Sequence, residues 1–189
     1  MPIDYYLYSS KPIRTKPIYS PEQAQTHKDF QLDYSDTILY LGKEYPIVAK
    51  PFNRIGFDFE QFYMPPNLSS KEIKSACVSI YRRLAKRDLT NRVHEYAKEM
   101  SVMPAAMRIS NAKTRWGSCS SKKNVNFSWQ LIMADSDAVD YVVVHELAHI
   151  REMNHSARFW VIVEGILPDY QQRKAKLRQL EQRICEENW

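Results

Sequence analysis

Residues 142–160 read VVVHELAHIREMNHSARFW, and this stretch decides the fold. It holds His145, Glu146 and His149 in the pattern HExxH, behind Val142, Val143 and Val144. On an α-helix, residues four apart share a face, one above the other. His145 and His149 can therefore aim two imidazoles at one point, and neutral imidazole nitrogen is a standard zinc ligand in a tetrahedral site. Glu146 stands beside the first histidine. Its carboxylate can reach a water at the metal without being a ligand. Two histidines leave a catalytic zinc one protein ligand short. His155 follows six residues after His149. A helix running straight on would carry it about 9 Å further along the axis, at about 1.5 Å per residue. The helix must end and the chain must turn, and Asn154 suits a left-handed turn residue. Glu164, on the next helix, is the alternative third ligand. His27 and His94 each stand alone in a polar setting and read as surface residues.

The chain around this stretch has 189 residues, 22.3 kDa and a formal net charge of +5 with pI near 9.0. That length allows one domain with a real core and an appended subdomain. Hydrophobic residues make up 44%, which excludes a disordered or fibrous chain. No apolar run reaches a membrane span. The start lacks a basic segment followed by an apolar one, so no secretory signal is expected. Cys77, Cys119 and Cys185 make neither a CxxC pair nor a disulfide framework, which points to a reducing, cytoplasmic setting. The basic balance permits an acidic partner such as nucleic acid without requiring one.

Taken in order, residues 1 to about 35 carry four prolines among tyrosines and read as irregular or loosely β. Residues 37–49 alternate about Gly42-Lys43 and predict a hairpin. Residues 55–64 read as a third strand, closing an N-terminal antiparallel β unit over residues 1–66. Ser69 or Ser70 then caps a long helix to about Ser101. Ile73, Cys77, Ile80, Tyr81, Leu84, Leu89, Val93, Tyr96 and Met100 form its apolar face. Lys71, Lys74, Arg82, Arg83, Lys86, Arg87 and Arg92 make residues 71–92 basic on the other side, a solvated face or one that meets phosphates. Residues 107–109 and 125–131 read as strands, with the loop KTRWGSCSSKKN between them. The second strand is the expected edge for a substrate bound as an added strand. Ser136 or Asp137 caps the histidine helix, expected over about 137–153. Ser156 caps the next, with Phe159, Ile162, Val163 and Ile166 inward. A charged helix follows from Tyr170. Trp129 reads as a core aromatic, and Cys119 as a packed thiol.

RWGSCSS, and HELAHI followed by NHSARFW, resemble the YgjP-like metallopeptidase domain, a group related to the SprT and WLM zinc-peptidase-like proteins. The similarity covers roughly residues 69–181, and LGKEYPI resembles the family's N-terminal β region. The resemblance implies an α+β, zincin-like fold over residues 67–189, with a small antiparallel sheet packed over an active-site helix and a helical C-terminus. It implies a zinc-dependent peptidase acting on a peptide or protein, with His145, His149 and His155 as Zn2+ ligands and Glu146 as the catalytic glutamate. The metzincin pattern HExxHxxGxxH has the same spacing, but Glu152 stands where that pattern has glycine. A second electrophile is expected beside the metal, from Arg115, Tyr141 or Tyr170, and Arg115 and Trp116 are expected near the substrate. The alternative function is a nucleic-acid-associated module with conditional or lost peptidase activity.

Overall fold

A computed structural model of the chain describes residues 31–187 and 189. His27 and the expectation for the first thirty residues lie outside the described residues. Strands β1 (Thr37–Tyr40), β2 (Lys43–Ala49), β3 (Gly56–Phe57) and β4 (Phe62–Met64) come first, then helix α1 (Ser70–Glu99). Strands β5 (Ala106–Ser110), β6 (Gly117–Cys119) and β7 (Asn124–Ser128) lead into a 3-10 turn over Trp129–Met133. Helices α2 (Ser136–Ala148), α3 (Ala157–Ile166) and α4 (Tyr170–Glu187) complete an α+β fold. No helix among the described residues is long and apolar enough to cross a membrane.

The first sheet runs β1-β2-β4-β3. It is mixed rather than antiparallel throughout, because β2 and β4 pair in parallel, Ile47 opposite Phe62. The third strand expected over 55–64 splits in two. Asp58 is the reason: its carboxylate accepts the backbone N–H of Glu60 and Gln61 at 3.2 and 3.0 Å, turning the chain at Phe59 (φ 73°). The hairpin between β1 and β2 turns one residue earlier than expected, at Leu41 and Gly42, with φ of 49° and 77°. Positive φ at both central residues suits the right-handed twist of the strands. That turn docks on the entry to α2. Leu41 N–H donates to the Ile132 carbonyl at 2.8 Å and Gly42 N–H to that of Met133 at 3.3 Å.

Helix α1 starts at a capping box in which Ser69 N–H donates to Glu72 Oε2 at 2.8 Å. Its expected apolar stripe is buried from Ile73 through Val93, and Tyr96 is half-buried. This face packs on α2 and the 3-10 turn. In the second sheet, ordered β5-β7-β6, β7 is the central strand, parallel to β5 and antiparallel to β6. It therefore cannot be the edge that takes an added strand. The edges of this sheet are β5 and β6, and β6 is the one that lies against α2. The strand expected over 125–131 stops at Ser128, whose hydroxyl accepts Gln130 N–H at 3.3 Å. Trp129 then stacks on Tyr81, ring centres 5.6 Å apart, inside the core.

Helix α2 is the central element. Its residues Tyr141 through Ala148 are all buried, consistent with its near-continuous apolar sequence. Its N-cap is Asp135 rather than Ser136 or Asp137, without a side-chain capping bond. It is shorter than expected: Ile150 N–H bonds to the Leu147 carbonyl and Arg151 N–H to that of Ala148, each at 3.0 Å, tightening the end into a 3-10 turn. Asn154 does not take the left-handed conformation expected of it. Helix α3 opens at Ser156, whose hydroxyl accepts Phe159 N–H at 3.4 Å.

Candidate metal centre

The last turns of α2 and the loop into α3 bring His145, His149 and His155 together. One ligand atom from each lies within 4.8 Å of the others. His145 Nε2 and His155 Nε2 are 3.0 Å apart. Two ligands at about 2.0–2.1 Å from a tetrahedral ion would be separated by about 3.3 Å, so these nitrogens already stand close to a metal's demand. His149 Nδ1 lies 3.1 Å from the Glu152 carbonyl, which can only accept, so the Nδ1–H is the donor. That leaves Nε2 with its lone pair, as a metal ligand requires. Burial favours the neutral form of all three imidazoles. His145 is 2% exposed and is pushed well below its ordinary pKa, and His149 is also lowered. His155, half-buried, is pushed down to about 4, with the His149 and Lys174 charges adding to desolvation. A neutral, oxygen-free, three-nitrogen donor set fits zinc. Glu164 is exposed and stands outside the cluster. His94 is exposed, as expected.

Glu146 is 5% exposed, and burial pushes its carboxyl up to about 8, with the Arg115 guanidinium pulling the other way. Strand β6 covers it. A Cβ built on Gly117 would lie 2.6 Å from Glu146 Cγ and 2.7 Å from Oε1. Only glycine leaves room for the carboxylate here. Cys119, two residues on, is half-buried and its thiol is pushed up to about 11 by burial and the Glu146 charge. It stays protonated and outside the histidine cluster.

Aromatic rings close a circuit around the histidines. His155 stacks on Trp160 (5.8 Å), Trp160 on Tyr170 (5.3 Å) and Tyr170 on Tyr141 (6.3 Å). Tyr141 meets His145 edge-on at 5.8 Å. Phe159 packs against all three histidines at 4.5–4.8 Å. Tyr141 and Tyr170 are thus buried ring contacts within the wall of the site. Trp116 is buried, its indole N–H donating to Glu181 Oε1 of α4 at 2.8 Å. Arg115 is exposed.

Helix α4 contributes residues that the sequence reading did not single out. Lys174 Nζ sits 5.6 Å from the centre of the Trp160 ring, and Arg178 and Glu181 follow on the same helix face. The i, i+4 spacing of Tyr170, Lys174 and Arg178 is the signal that could have found them. The basic side chains of α1 are largely engaged within the fold. Arg83 donates to the Ile55 carbonyl at 2.8 Å, Arg87 pairs with Asp88 at 2.6 Å, and Arg92 pairs with Asp140 and bonds Ser136.

The chain matches the YgjP-like, metallopeptidase domain family over residues 11–180, and it belongs to that family. It is therefore a metallopeptidase, a hydrolase of peptide bonds in peptides or proteins. None of the curated proteins matches it. Two solved structures are similar to part of the chain. One is the metallopeptidase zymogen of abylysin from Pyrococcus abyssi, 20% identical, covering 51% of this chain and 90% of its own, with a TM-score of 0.41. The other is the metallopeptidase zymogen of jannalysin from Methanocaldococcus jannaschii, also 20% identical with a TM-score of 0.41, covering 54% of this chain and 98% of its own.

Proposed function

We propose that this metallopeptidase works with zinc held by His145, His149 and His155, and that Glu146 is its general base. The observation that carries the reading is the convergence of three imidazoles within 4.8 Å, with His145 on the same turn of α2 as the buried carboxylate of Glu146. Bound zinc would supply a Lewis acid that acidifies water and polarises the scissile carbonyl. Glu146 would take the proton of the attacking water and hand it to the leaving amine. Arg115 favours the ionised carboxylate that this role needs, and burial keeps that carboxylate weakly solvated and basic. The tight seat under Gly117 fixes its direction. The aromatic circuit fixes the histidines and excludes water from their flanks. The free edge of β6 runs beside Glu146, so a substrate added there as a strand would place its backbone next to the base.

The test is Glu146→Gln. The amide is nearly isosteric but cannot accept the proton. Zinc content should stay at the wild-type value, while cleavage of a mixed peptide library should fall by about 10³-fold or more. Turnover surviving in the zinc-loaded variant would remove Glu146 from this role.

A further inference from the structure

The chemistry at the histidines leaves the substrate's character open, and helix α4 speaks to it. Tyr170, Lys174, Arg178 and Glu181 recur at helical spacing along one face. That face runs the length of the site. At one end Tyr170 stacks on Trp160, which stacks on His155. At the other end Glu181 holds the indole of Trp116, next to the Gly117 that seats Glu146. Between these anchors lie two cations. Lys174 is half-buried, with its ammonium against the Trp160 ring. Among the described residues neither Lys174 nor Arg178 has an ion pair or hydrogen bond. Other basic groups nearby differ: Arg173 pairs with Asp169 at 2.8 Å and Lys176 with Asp137 at 2.6 Å. Lys174 stands one ring away from the site, since the Trp160 ring that it faces stacks on His155 with centres 5.8 Å apart. A half-buried ammonium loses hydration without gaining a counter-charge, an arrangement that favours an incoming anion. The acidic group on this face is Glu181, which accepts the Trp116 indole N–H and feels the charge of Arg178, leaving Lys174 without a carboxylate beside it among the described residues.

Resting on the peptidase reading above, we propose that Lys174, supported by Arg178, forms an anion subsite beside the metal centre and selects peptides carrying a carboxylate close to the scissile bond. The carboxylate can come from an acidic side chain or from a free C-terminus. Lys174 would pair with it across the Trp160 ring, and Arg178 would supply the second positive charge. Because the pair lies in a partly dry wall, it would be stronger than a surface ion pair and would still weaken with salt.

Four labelled peptides test this. One sequence is made with Glu or Gln at the position flanking the cleavage site, each with a free or an amidated C-terminus. Binding is measured by fluorescence anisotropy on zinc-loaded protein carrying Glu146→Gln, which removes cleavage from the readout. We expect an anionic peptide to bind about tenfold more tightly than its neutral counterpart at about 50 mM salt. The preference should vanish in Lys174→Met, shrink in Arg178→Met and survive in Lys174→Arg, which keeps the charge and controls for folding. Preference for Glu over Gln assigns the side-chain carboxylate; preference for the free terminus assigns the terminal one. Equal binding of all four, no binding of any, or a preference that persists in the Lys174→Met/Arg178→Met protein would overturn the proposal. If the anion preference holds but wild-type protein cleaves none of the four, the peptidase reading fails alone.

Discussion

Gly117 and Glu146 occupy one space: the glycine's missing side chain is where the carboxylate sits, with a Cβ there reaching within 2.6 Å of Glu146 Cγ. The edge strand and the active helix are thereby in direct contact, and the base is aimed by a backbone rather than by a hydrogen bond. Gly117→Ala should push Glu146 from its seat. A displacement of about 1 Å at a catalytic group can lower turnover about 10²-fold. Zinc content should be unchanged, because the histidines do not touch Gly117's space. Wild-type peptide turnover in the alanine variant would show that the seat does not position the base.

The metal-free protein should carry a pH signature of the site. Folded, His155 protonates only near pH 4, and His145 and His149 are lowered too. The unfolded chain takes those protons near pH 6.5. Stability from the neutral histidines is thus present above about pH 6.5 and is lost as pH falls toward 4. Glu146 acts oppositely: raised to about 8 in the fold, it favours the folded state at low pH and loses that contribution as pH rises from about 4.5 to 8. Melting of chelator-stripped protein should show a shallower acid limb in His155→Ala and a higher Tm near pH 8 in Glu146→Gln. Identical curves for all three proteins would contradict these shifts.

The bond from Trp116 to Glu181 ties α4 to the loop before β6. Glu181→Ala would leave a buried indole N–H without its acceptor, at a cost of about 1–3 kcal/mol. Glu181→Gln keeps an acceptor oxygen and should recover most of that. Urea denaturation of the two variants checks the order. Equal stability of alanine and glutamine forms would mean that the bond contributes nothing measurable.

Gly42 supports the site from a distance. A Cβ there would lie 2.1 Å from Asp135 Oδ1 and 2.9 Å from its Cα, at a backbone φ of +77°. Gly42→Ala adds both a collision with the start of α2 and left-handed strain, and should destabilise by about 2 kcal/mol or more. A melting curve matching wild type would show that the hairpin does not bear on α2.

The centre of the site was legible because its information is local. HExxH needs only the 3.6-residue period, and His155 is a third histidine close by in the chain, made a ligand by the family resemblance with Glu164 as the alternative. The apolar stripe of α1 and the Ser69 and Ser156 caps were readable for the same reason. What escaped depends on partners far apart in the chain. The parallel pairing of β5 with β7 puts β7 in the middle of its sheet, and nothing within residues 124–128 marks that position. The split at Asp58 and the early turn at Leu41 are side-chain and docking effects on an otherwise regular alternation. Asn154 was assigned a helix-ending role that 3-10 bonds at Ile150 and Arg151 perform instead. Lys174, Arg178 and Glu181 read simply as a charged helix, because only packing of α4 on α2 brings them to the histidines.

The most direct test is zinc stoichiometry by elemental analysis of wild-type protein and His155→Ala, both purified without added chelator. The three-histidine site predicts about one zinc per chain in the wild type, lost or bound far more weakly in the variant. Full zinc retention by His155→Ala, or a wild-type protein that takes up no zinc when it is supplied, would contradict it.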